Sequence, residues 1–137
     1  KDKIPAPYKP WRLLHKGKNG VVAALGPLAG MIWEIILEMP KENRPTLWAV
    51  NNFNINDIPV KFLKSINDKK LYVFEEHVAQ GGLGMLLSHV IITKNISLKK
   101  FSHHHAFGYP KLNFGSQSFH REQSGLDKKT IKKIFNS

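Results

Sequence analysis

The chain has 137 residues, 42% of them hydrophobic, which is enough for one domain with its own apolar core. It contains no cysteine, which excludes disulfides and thiolate metal sites, and no apolar run approaches the ~20 residues of a membrane span. The net charge is +11, but the lysines occur singly or in pairs and arginine is rare, so we expect no nucleic-acid partner. These observations predict a cytoplasmic protein that does not bind membranes.

The N-terminal segment, residues 1–19, carries three prolines, Pro5, Pro7 and Pro10, which favour an extended path and disfavour helix. We expect this segment to be a linker that connects the domain to a preceding domain. The domain itself is then expected to occupy residues 20–137.

Strand and helix patterns alternate after this segment. Residues 21–25 and 46–50 are short apolar runs typical of buried strands, and residues 28–39 have the 3-4 apolar spacing of a helix. Asp57 is expected to be the N-cap of a helix whose apolar positions fall within residues 60–66. This alternation predicts an α/β fold, with a mostly parallel sheet covered on both faces.

The central stretch, residues 71–92, begins with an apolar strand that stops at two carboxylates and a histidine, Glu75, Glu76 and His77. Adjacent strand residues point to opposite faces, so the carboxylates cannot serve one substrate as an acid/base pair. We expect one of them to be buried and paired and the other to be solvated. His77 is more typical of a hydrogen-bonded turn residue than of a base or metal ligand.

A glycine-rich turn follows and opens a helix, with glycine at positions Gly81, Gly82 and Gly84. Glycine permits positive φ and close packing of the helix against the sheet. The N–H groups of this turn could bind an anion, but the motif lacks the Lys-Ser/Thr of a P-loop. A packing turn is therefore the preferred interpretation.

Three consecutive histidines, His103, His104 and His105, end a more exposed strand predicted over residues 97–103. In an extended chain His103 and His105 share a side about 7 Å apart, so a zinc site would need a further ligand such as His77, Glu75 or His120. We favour a structural role and expect no metal. The spacing of the sequence places no histidine and carboxylate as partners of a catalytic serine at Ser116, Ser118 or Ser124.

The C-terminal part holds a long connection, residues 107–118, and a short basic helix for which Asp127 is the expected N-cap.

The order of these motifs resembles the C-terminal domain of the transketolase superfamily over about residues 12 to 135. The most specific part is the strand that ends in Glu75, Glu76 and His77, followed by the glycines at Gly81, Gly82 and Gly84. A Phe-Gly-Ser stretch at residues 114–116 and a final Gly-Leu helix make the separately encoded C-terminal halves of transketolase-like enzymes most similar.

The resemblance implies a three-layer α/β sandwich with one antiparallel edge strand. It also implies an enzyme that moves two-carbon ketol units between sugars, in which thiamine diphosphate and magnesium are bound by upstream pyrimidine-binding and diphosphate-binding domains. This domain would support a homodimer or heterotetramer and would be inactive alone, with no catalytic residue of its own. Residues Glu75, Glu76, His77, Gly81, Gly82 and His103 are the candidates for binding or interface contacts.

Three alternatives remain open. The chain could be the corresponding domain of a 2-oxoacid dehydrogenase-type β subunit or of a deoxyxylulose-phosphate synthase. It could also be a stand-alone α/β module that binds a small anion or a protein.

Overall fold

A five-stranded mixed sheet lies at the centre of the computed structural model, which describes residues 9–51, 54–76, 82–105 and 127–136. The strands are β1 (Trp11–His15), β2 (Val21–Leu25), β3 (Thr46–Val50), β4 (Lys69–Phe74) and β5 (Leu98–His104). Their spatial order is β1-β3-β2-β4-β5. Strand β1 pairs antiparallel with β3, and all other pairs are parallel, which confirms the mostly parallel sheet with one antiparallel edge strand.

In the described ranges, four α-helices cover the two faces of the sheet. They are α1 (Leu28–Leu37), α2 (Val60–Ile66), α3 (Leu83–Thr93) and α4 (Lys128–Phe135). Helices α1 and α4 pack on the face that carries Val22 and Phe74, and α2 and α3 pack on the face that carries Val21 and Val73. The apolar strand residues point alternately to the two faces, so each face has its own core and the three-layer sandwich is confirmed.

The expected linker requires a correction, because Trp11–His15 forms the edge strand of the sheet. Trp11 is 5% exposed, and its ring lies 4.7 Å from that of Phe62 on α2 and 6.4 Å from that of Trp48 on β3. An extended path was correctly expected, but this part of it belongs to the domain. Residues 1–8 of the expected linker lie outside the described residues.

The start of α2 also differs from expectation. Asp57 lies in a short 3₁₀ turn, and Pro59 is the residue before the helix, with an extended ψ of 140°. The helix therefore begins at Val60 without a side-chain cap. The other expected cap is confirmed, since the Asp127 carboxylate accepts a hydrogen bond of 3.2 Å from the N–H of Thr130.

In the part of the chain that the structure describes, no helix is both long and apolar enough to cross a membrane.

Candidate functional site

The candidate site lies at the carboxyl end of two neighbouring parallel strands, β4 and β5. Glu75 directly follows β4, and its backbone N–H donates to the carbonyl of His104 over 3.0 Å. In register, Val73 lies beside His103 and Phe74 beside His104. Since β4 and β5 run parallel, residues 28 positions apart in sequence meet at one edge of the sheet.

The Glu75 side chain is fully buried and accepts three hydrogen bonds. Its Oε1 accepts from the backbone N–H of Leu83 over 2.7 Å, and its Oε2 accepts from the backbone N–H of Gly84 over 2.8 Å. The Nε2 atom of His103 lies 2.5 Å from Oε2. We refer to Glu75, Leu83, Gly84 and His103 as the Glu75 cluster. It joins β4, the start of α3 and β5 at one point.

Glu75 supplies the cap that α3 lacks in its own sequence. The residue before the helix is Gly82, which has no side chain to accept from the first helical N–H groups. The carboxylate of Glu75 accepts from two of these groups and places a negative charge at the positive end of the helix dipole. The expectation that one of the two adjacent glutamates is buried and paired is therefore confirmed for Glu75.

Two glycines make room for this arrangement. A Cβ atom on Gly82 would lie against the Glu75 carboxylate, including 2.9 Å from Cδ, and a Cβ on Gly84 would lie against the His103 ring. Gly82 has a φ of −95°, and Gly84 is not among the residues with positive φ. These two positions do not use the positive φ that glycine permits. The other expected role of the glycines, close packing of the helix against the sheet, is confirmed by the close approach of Glu75 and His103.

The electrostatics favour an ionised Glu75. Burial alone would raise the pKa of this carboxyl group, but the hydrogen bonds from His103, Gly84 and Leu83 outweigh burial and lower the pKa from its usual value of 4.5. An ionised carboxylate can only accept hydrogen bonds, so Nε2 of His103 carries the proton and donates it. In a neutral His103 ring the lone pair therefore lies on Nδ1.

The three consecutive histidines separate onto the two faces of the sheet. His103 faces α3, where its ring centroid lies 4.7 Å from that of His105. His104 lies on the opposite face, where its ring stacks on Phe74 at 4.8 Å. Among the described residues, no group of three or more His, Asp or Glu side chains converges as a metal site.

Sequence reasoning missed a second hydrogen-bonded pair on β5. The hydroxyl Oγ of Ser102 lies 2.5 Å from Nε2 of His104, on the face that packs against α1 and α4. Burial, with the positive charges of His103, Lys100 and His105, lowers the pKa of His104 from 6.5 to about 4. The two residues are spaced i and i+2 on a strand, and this spacing was the available sequence signal.

Of the remaining candidate residues, Glu76 lies within the described part of the chain and the others do not. Glu76 follows Glu75 and is half-buried. His77, Gly81 and His120 lie outside the described residues, so their expected roles stay predictions. The same holds for the three serines and for the connection at residues 107–118.

No family model matches the chain, and no curated protein matches it. Among solved structures, the chain is similar to a split-gene transketolase in an inactive β4 tetramer, with a TM-score of 0.73 at 16% sequence identity. The match covers 96% of this chain and 43% of that chain, so this chain spans less than half the length of the transketolase chain. At this identity the match concerns the fold alone, and this chain shares the α/β fold of the matched part of the transketolase chain.

Proposed function

We propose that this chain is the C-terminal domain of a transketolase-like enzyme that uses thiamine diphosphate to transfer two-carbon ketol units between sugars. The observation that carries the proposal is the structural match over 96% of the chain to a split-gene transketolase. The motif with the strongest resemblance, the strand end with Glu75 followed by the glycine turn, also has a specific structural role here, in the Glu75 cluster.

The described residues do not form a diphosphate site at the glycine turn. The backbone N–H groups of Leu83 and Gly84, which an anion would need, donate to Glu75. An external diphosphate would also meet a buried negative charge at this position. We therefore propose that thiamine diphosphate and its magnesium ion are bound by other domains or by a partner chain. The same geometry disfavours a stand-alone anion-binding module at this turn.

The proposed role of this domain is assembly and support of the active site. The transketolase of the structural match forms an inactive β4 tetramer, and by analogy we expect this chain to associate and to be inactive alone. Exposed apolar side chains that such an interface could bury include Met85 and Ile92 on α3 and Phe101 on β5. They are 49%, 73% and 37% exposed. A cytoplasmic location remains part of this proposal.

Calorimetric titration of thiamine diphosphate with magnesium tests the proposal. The titration is performed on this chain alone, and then on a mixture with the upstream chain or domains. We expect no binding to the chain alone, and we expect binding together with turnover of a ketose phosphate in the mixture. Saturable binding to the chain alone would contradict the assignment of the cofactor to other domains. A mixture that turns over a 2-oxoacid instead would favour a 2-oxoacid dehydrogenase-type enzyme.

A further inference from the structure

Strand β5 lies at the opposite edge of the sheet from β1. Among the described strands, β4 alone pairs with it. The carbonyl of His104 accepts from the N–H of Glu75 and so points to β4. Because the backbone groups of successive strand residues point to alternate sides, those of Phe101 and His103 point away from β4, where no described strand lies. Such an edge can pair with a further strand.

The side chains of β5 differ between the two faces of the sheet. Phe101 lies beside Leu71, on the face that packs against α3, and is 37% exposed. Lys100 lies beside Lys70 on the opposite face, and Lys99 is the extra residue where the register shifts. Both lysines of β5 are exposed. A strand added here would meet an aromatic ring on one face and ammonium groups on the other.

The positive charge of this edge is not balanced within the chain. Residues 77–121, which include α3 and β5, contain no aspartate and no glutamate. In the described ranges neither Lys99 nor Lys100 forms an ion pair, whereas Lys128 and Lys132 on α4 pair with glutamates of α1. The edge therefore fits a partner that brings carboxylates, and it repels a second copy of the same basic strand.

We propose that β5 binds an extended acidic segment of a partner protein, which adds to the sheet as a further strand. The segment alternates acidic and apolar residues, because its carboxylates lie beside Lys100 and its apolar side chains beside Phe101. Main-chain hydrogen bonds to Phe101 and His103 supply affinity. The lysines select against neutral and basic strands, as charged residues on an exposed edge do in general. This inference does not depend on the proposed function.

The experiment measures binding of a fluorescent, end-blocked peptide of about eight residues in which glutamate and valine alternate. The full chain is titrated into the peptide at low salt, and fluorescence anisotropy is recorded. We expect saturable binding. Two control peptides should not bind, one with lysine in place of glutamate and one with methylated backbone nitrogens, which lacks the N–H groups that strand pairing needs. Equal binding of the methylated peptide would show a purely electrostatic contact and would overturn the proposal.

Charge-reversal variants locate the binding site on the chain. Lys99→Glu combined with Lys100→Glu should lower the affinity for the acidic peptide at least about tenfold, because attraction becomes repulsion at the edge. The matched control is Lys61→Glu combined with Lys64→Glu, which makes the same change in net charge at exposed lysines on α2. It should change the affinity by less than about threefold. Equal losses in the two variants would show nonspecific attraction to a basic chain and would contradict the site.

Hydrogen exchange on the wild-type chain tests strand pairing without any substitution. In the free chain the N–H groups of Phe101 and His103 should exchange faster than those of Ser102 and His104, which point to β4. Saturating acidic peptide should slow exchange at Phe101 and His103 at least about tenfold. Unchanged exchange would refute strand addition even if the peptide binds. Protection that rises with chain concentration in the absence of peptide would assign the edge to a second copy and would also refute the proposal.

Discussion

Replacing Gly84 with alanine should destabilise the chain only while the His103 ring is present. The three atoms nearest to a Cβ built on Gly84 all belong to this ring, and every one of them is far inside contact distance. The ring must therefore move, and its hydrogen bond to the buried Glu75 must break or lengthen. The substitution thus tests the Glu75 cluster through a residue that makes no side-chain contact itself.

The expected magnitude follows from two opposing terms. A hydrogen bond to a charged group contributes ~1.5–3 kcal/mol, and alanine is favoured over glycine within a helix by ~1 kcal/mol. We expect Gly84→Ala to cost about 2 kcal/mol of unfolding free energy once further strain in the cluster is included. In a His103→Ala background the obstacle is absent, so Gly84→Ala should be neutral or stabilising by up to ~1 kcal/mol. The coupling energy of the cycle is then about 2–3 kcal/mol.

The assay is equilibrium urea unfolding of wild type, both single variants and the double variant at pH 7 with a chelator. Fluorescence of the buried Trp11 and Trp48 and far-UV circular dichroism report the transition. Gly30→Ala on α1 is the matched control, because a Cβ there meets no atom within 4 Å and should stabilise the chain by ~0.5–1 kcal/mol. Equal costs of Gly84→Ala with and without the His103 ring would refute the reasoning.

Three further outcomes are expected. Because the pKa of His104 is about 4 in the folded chain and returns to its usual value of 6.5 on unfolding, the unfolded chain binds more protons between these values. Stability should therefore fall from pH 7 to pH 4, by about 1–2 kcal/mol once solvent screening of the partly exposed ring is allowed for. His104→Phe should reduce this slope in urea unfolding series at each pH, and an unchanged slope would contradict the assignment. Asp127→Ala should cost about 1 kcal/mol in urea unfolding through loss of the cap to Thr130, whereas Asp127→Asn should cost less, because asparagine also caps helices. Ile92→Lys should weaken association in sedimentation experiments and have little effect on stability. Val60→Lys, at a similarly exposed apolar residue on α2, should leave association unchanged. Equal weakening of association by both substitutions would argue against an interface on α3.

The order of strands and helices could be predicted because it depends on local patterns. Val21–Leu25 is apolar throughout and is buried on both faces, and Asp127 precedes a helix as a side-chain cap. The same local reasoning failed at Trp11–His15, where three nearby prolines suggested a linker. Pairing of this strand with β3 depends on residues more than 30 positions away, and the sequence pattern contains no direct signal of it.

The Glu75 cluster shows a similar limit. The sequence predicted that one of two adjacent glutamates would be buried and paired, since strand residues alternate between faces. Its partners could not be predicted, because they come from the next helix and from a strand 28 residues away. For Gly82 and Gly84, close packing was correctly predicted, whereas positive φ does not occur. Their role depends on atoms of Glu75 and His103 that local φ preferences do not include.

The position of Glu75 bears on what this edge of the sheet can do. Burial of a carboxylate costs several kcal/mol unless it is paired, and here three donors and a helix N-terminus compensate. Two of the donors, the backbone N–H groups of Leu83 and Gly84, are the groups that would otherwise make the glycine turn an anion site. The chain thus uses an internal anion where many α/β proteins bind a phosphate. The hydrogen bonds of Glu75 join β4, β5 and α3 at this edge of the sheet. Such a structural junction suits a domain whose proposed role is assembly and support of chemistry performed elsewhere.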